Sequence, residues 1–81
     1  MSLTYYVALP FVRSDYGVAP GQAMECQSEA QALVRAGGMS RNPTNAGAIA
    51  FKRSGNPELG EFADAIVIQK FGEVPERLDE L

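Results

Sequence analysis

Every second residue from Leu3 to Phe11 is apolar: Leu3, Tyr5, Val7, Leu9 and Phe11. Successive side chains of a strand point to opposite faces, so this period of two, carried by aromatic and branched residues, predicts a β-strand from Leu3 to Arg13. Pro10 has no N–H to give to a ladder, which places the strand at a sheet edge, at least at its end, or at a bulge. A chain that opens this way must supply a neighbour for the strand and a cover for its apolar face. With 81 residues there is room for one hydrophobic core, so a single small domain spanning 1–81 is expected.

Ser14-Asp15-Tyr16-Gly17 has turn chemistry, and Gln22-Ala23-Met24-Glu25-Cys26 then alternates, with Met24 and Cys26 on one side. A short second strand over 22–26 would close a hairpin, with a loop through Pro20-Gly21 as the other reading. Ser28 and Gln31 have capping-box spacing, so a helix is expected to begin at Glu29. Its apolar positions Ala30, Leu33, Val34 and Gly37 form a narrow stripe, and Gly37-Gly38 is the natural stop, with Ser40 the furthest continuation.

After a loop at Asn42-Pro43-Thr44-Asn45, residues 47–53 read as a strand and 54–60 as a hairpin connection. Residues 62–71 then form the longest strand, in which Ile66-Val67-Ile68 is apolar on both faces. That two-sidedness predicts a central position beside 47–53. Residues 73–81 are expected to form a short acidic C-terminal turn or tail, with a helical turn starting at Pro75. The fold class is therefore α+β: a small antiparallel sheet with one helix packed on one face, in the order ββαββ, or βαββ if 22–26 is only loop.

One helix covers one face. The other face is expected to carry Tyr6, Ala8, Ala48, Ala50, Ala65 and Val67, a set too apolar to stay wetted, so these six are the candidate interface with a second copy. The stretches Gly47-Ala48-Ile49-Ala50-Phe51, with Arg53, Gly55, Pro57 and Gly60, and then Phe62, Asp64-Ala65 and Phe71-Gly72-Glu73-Val74-Pro75, carry a resemblance over residues 4–75. The chain resembles a group of short uncharacterised bacterial proteins, mostly alphaproteobacterial. The resemblance implies a prokaryotic cytoplasmic origin and a self-contained domain; it implies no activity, ligand or catalytic residue.

Composition removes most enzyme designs. There is no histidine and one cysteine, which excludes imidazole acid–base chemistry, internal disulfides and the usual zinc sites. Cys26 is the one strong nucleophile near neutral pH, but without a neighbouring base it reads as a buried structural residue. Glu58, Glu61 and Asp64 recur at intervals of three and could offer oxygen to a hard cation, but the spacing fits no metal loop and solvation is the expected role. No catalytic residue, cofactor or metal is therefore assigned.

Net charge is −3, which argues against a domain-wide basic surface. Residues 1–57 hold five bases against three acids, whereas residues 58–81 hold seven acids against two bases, a segregation that reads as a solvated surface with an acidic tail or, alternatively, as complementary pairing between copies. No apolar run is long enough to cross a bilayer and no signal peptide precedes the first strand, so a cytoplasmic protein without membrane association is expected. The leading functional expectation is a non-enzymatic protein-interaction module, self-associating as a homodimer through a sheet face, with any other protein partner unidentified. The alternative is a small accessory protein that binds nucleic acid or a nucleoprotein complex through Arg41, Lys52 and Arg53, with Tyr5, Tyr6 and Phe51 nearby for stacking.

Overall fold

The computed structural model describes residues 3–15 and 17–75. Its elements are β1 (Leu3–Ser14), β2 (Gly17–Pro20), β3 (Met24–Cys26), α1 (Glu29–Arg41), β4 (Asn45–Asn56), β5 (Glu61–Phe62) and β6 (Ile66–Gly72). All six strands belong to one antiparallel sheet, which is α+β as expected but richer in strands than ββαββ. The long strands β1 and β4 pair along most of their length, from Leu3 with Gly55 to Val12 with Asn45. Two short strands flank each of them: β3 and β2 lie along β1, and β6 and β5 lie along β4.

The expected lateral position of β1 is therefore corrected, because β1 is interior. Pro10 is accommodated by a gap in the outer row: β3 pairs with residues 6–8, β2 pairs with residues 11–14, and no strand among the described residues pairs with β1 between them. The Pro10 carbonyl points into that gap and accepts the Gly21 N–H at 2.8 Å. The amide nitrogen of a strand residue points to the same side as its carbonyl, so the donor that proline lacks would have faced an interruption in the ladder. The strand expected over 22–26 is thus the second half of a broken edge, and the hairpin partner of β1 is β2, with Ser14 opposite Gly17.

Strand β6 is also corrected. Among the described residues it pairs with β4 only, at the edge of the sheet, and the strand expected to run without a break from 62 to 71 is split by Ala63-Asp64-Ala65. The two-sided apolarity has a local cause. A register shift between Ala50 and Phe51 leaves Ile68 extra, so that Val67 sits opposite Phe51 while Ile68 packs toward the helix. Where β6 ends, the chain turns through Gly72 at φ 69°, and the Glu73 N–H bonds to the Ala46 carbonyl at 3.1 Å. A Cβ on Gly47 would strike the backbone of Phe71 and Glu73 there, so only glycine fits.

Helix α1 starts where expected. The Ser28 hydroxyl accepts the Gln31 N–H at 3.1 Å, and the Gln31 side chain accepts the Gln27 N–H at 2.6 Å. It ends later than expected, running through both glycines to Arg41, because Met39 finds two partners for its carbonyl: the Asn42 N–H and the Asn45 side-chain amide. The buried helix positions are Ala32, Ala36 and Gly37, with Leu33 half-buried, whereas Val34 is 74% exposed. The stripe is rotated from the expected one.

That rotation comes with the most consequential correction. The helix lies on the alanine face: Ala8, Ala48 and Ala50 are fully buried in one cluster with Cys26, Ala32 and Ala36, and Tyr6 packs against it. The opposite face carries the bulky residues Leu9, Phe11, Ile49 and Phe51, against which Val7, Val18, Ala65 and Val74 pack. Small side chains on both surfaces let a helix approach a sheet closely, so the face that looked too flat to be left wet is the docking floor for α1. The tail expected over 73–81 is described only to Pro75, and the rest of it lies outside the described residues.

Candidate functional site

The six residues expected to form an interface are not one surface. Tyr6, Ala8, Ala48 and Ala50 are on the helix-covered face, Ala65 packs against the cluster on the other face, and Val67 sits beside Phe51. With Ala8, Ala48 and Ala50 at zero exposure, no partner can reach them without displacing the helix.

Nor do the three basic residues of the nucleic-acid reading meet. The end of α1 lies by Asn45, whose side chain bonds to Met39, and Lys52 is seven residues along β4, about 23 Å at the rise of a strand. Lys52 and Arg53 are neighbours on β4, so their side chains leave by opposite faces, Lys52 with Tyr6 and Arg53 with Tyr5. Cys26 is buried, and its thiol is 3.7 Å from the Met24 carbonyl, with no base beside it among the described residues. Glu58, Glu61 and Asp64 are exposed and do not converge with other acids into a metal-holding cluster among the described residues.

Two regions remain that the sequence did not mark. The first is the edge formed by β5 and β6. Leu59, Phe62 and Ile66 are 67%, 52% and 59% exposed, and all three lie within eight residues of chain on this edge. Phe62 is held there by register: it stands opposite Gly55, where a Cβ would collide with its ring, and its ring centroid is 6.2 Å from that of Tyr5. Leu3, opposite Gly55 on the other side, continues the apolar row at 41% exposure.

Comparison with protein-family models, with curated proteins and with solved structures finds no match. The molecule's own surfaces therefore carry the functional reading.

The second region is a groove of about 650 Å³ between α1 and β3, with Met24, Val34 and Met39 as its apolar lining and Gln31, Arg35 and Arg41 as its polar rim. It exists because α1 turns its alanines to the sheet, which leaves Val34 and Arg35 on the outer side, while the parity of β3 puts Met24 on the helix side with Cys26. The groove and the β5–β6 edge are at opposite margins of the sheet. Among the described residues, no helix is long and apolar enough to cross a membrane.

Proposed function

We propose that the chain is a non-catalytic protein-interaction domain that pairs with a second copy of itself along the β5–β6 margin. The observation that carries this reading is that β6, with the sequence Ile-Val-Ile-Gln-Lys-Phe-Gly, has a ladder on one side only among the described residues. An edge strand of this apolarity, with no proline along it and with the bulge at Ile68 as its one irregularity, is a template for another strand. The exposed apolar side chains of Leu59, Phe62 and Ile66 extend the same margin.

Charge favours a second copy as the occupant. Glu58, Glu61 and Asp64 lie at the start of the margin and Lys70 near its end. A two-fold axis through β6 sets two such strands antiparallel, which brings each Lys70 toward the acidic end of the other copy.

Sedimentation equilibrium at micromolar concentration tests the reading. The expected result is a species of twice 8.7 kDa that Ile66→Lys converts to monomer while the circular dichroism spectrum is unchanged. Ile66 is exposed, so the charge does not enter the core. A wild-type chain that stays at the monomer mass at every concentration overturns it.

A further inference from the structure

We propose that the groove between α1 and β3 binds an acidic peptide segment that carries apolar side chains, supplied by a partner protein. Three observations converge on it.

The first is charge. The chain has a net charge of −3, yet the groove is lined by two guanidiniums, Arg35 and Arg41, and by no carboxylate among the described residues. Neither arginine has an acidic partner among the described residues. A guanidinium presents a planar fork of donors to which a carboxylate binds bidentately, so two of them on one rim select for anionic side chains.

The second is the lining. Met24 is 41% exposed and Val34 74% exposed, and Met39, further along α1, is half-buried against the alanine cluster. Thioethers are flexible and polarizable, and they adapt to irregular apolar partners. Among the described residues no aromatic ring lines the groove, and stacking on a nucleobase needs one. Apolar floor and cationic rim together match a peptide that alternates leucine-like and acidic residues.

The third is Gly38. It lies inside α1, lines the groove and has a negative φ, and a Cβ built on it would meet no atom within 4 Å among the described residues. A glycine inside a helix lowers its stability relative to alanine, and nothing within the described chain requires one here. Close approach of a bound segment to the helix backbone supplies the reason.

The groove lies at the margin opposite to β6, so its occupancy is separate from self-association. Fluorescence anisotropy on the full chain tests it, with a labelled synthetic peptide in which glutamates separate leucines, a twin with glutamine in place of each glutamate, and a labelled single-stranded oligouridylate. The acidic peptide is expected to bind, with an affinity that falls as salt rises; the glutamine twin is expected to bind about tenfold more weakly or not at all. Arg35→Gln with Arg41→Gln should reduce binding of the acidic peptide to the level of the twin. Gly38→Leu should abolish it by filling the groove while the thermal melt of the chain is maintained. Ile66→Lys should leave it unchanged, which separates this result from the fate of the dimer. Equal binding of acidic and glutamine peptides, binding insensitive to the groove variants, absence of binding, or preference for the oligonucleotide would each overturn the proposal.

Discussion

The two faces of the sheet solve the same problem in opposite ways. On one, Ala8, Ala48 and Ala50 meet Ala32 and Ala36, and burial is achieved by bringing two backbones close together. On the other, Leu9, Phe11, Ile49 and Phe51 fill the space with their own volume, and Val18, Ala65 and Val74 close over them from the margins and the segment after β6. The alanine face needs a rigid body of matching shape, which the helix provides. The bulky face needs only side chains that interdigitate. Alternating small and large side chains along β1 and β4 thus assigns a cover to each face: helix on the small one, chain margins on the large one.

The two faces should therefore fail in opposite directions of volume. The largest effect is expected on the bulky face. Ile49 is the largest fully buried side chain there, and Ile49→Ala should cost about 2 to 5 kcal/mol in urea unfolding, the range for a core aliphatic truncated to alanine. A loss below about 1 kcal/mol would mean that the margins collapse readily onto the cavity and that this face is not closely packed. The next effect is expected on the alanine face, by enlargement. Ala48→Leu should cost about 1 to 3 kcal/mol, because the added methylenes force the helix off the sheet. If Ala48→Leu were neutral, the helix would not be in close contact and the contrast between the faces would vanish.

Leu33 sharpens the comparison from the helix side. It is half-buried and packs against the edge of the alanine cluster, where the stripe read from periodicity would have placed it at the centre. Leu33→Ala should accordingly cost about 1 to 2 kcal/mol, at or below the low end for buried leucines. A cost near that of Ile49→Ala would move the centre of the helix contact from Ala32 and Ala36 to Leu33.

What the sequence revealed follows from which signals are local. The alternation from Leu3 to Phe11 and the Ser28–Gln31 pair are read over a few residues, and both appear in the fold as expected. Parity also correctly grouped Met24 with Cys26, and Ala48 with Ala50. Parity could not say which group would receive the helix, since both Tyr6 with Ala8 and Val7 with Leu9 carry apolar surface that needs a cover. Closeness of approach decided it, and that is a property of two surfaces together. The edge position of β6 was hidden by the extra residue Ile68, which gives apolar side chains to both faces of a strand that has one neighbour among the described residues. Pro10 signalled an edge truthfully, but the edge is a gap of two residues in an outer row. The groove was invisible because it joins Met24 to Val34 and Arg35 through a helix rotation that periodicity misplaced.

The smallest expected effect concerns the adjacent glycines, one on each side of the boundary between covered and open helix surface. Gly37 is buried, and a Cβ there would lie 3.7 Å from the Phe71 ring, an ordinary contact. Gly38 faces outward, where a Cβ would touch nothing among the described residues. Neither has a positive φ, so alanine fits the backbone at both. Alanine removes unfolded-state freedom that glycine has and favours the helical form, so each substitution should raise stability, Gly38→Ala by about 0.5 to 1 kcal/mol. Gly37→Ala should gain at least as much, because its methyl also adds apolar contact with Phe71. Thermal melts of the two single variants and the double variant check this. A loss at Gly37 with a gain at Gly38 would show that the helix sits closer to Phe71 than an alanine allows. Losses at both would mean that the helix in solution ends at Gly37, as the glycine pair alone suggests, and that the groove wall beyond it is not helical.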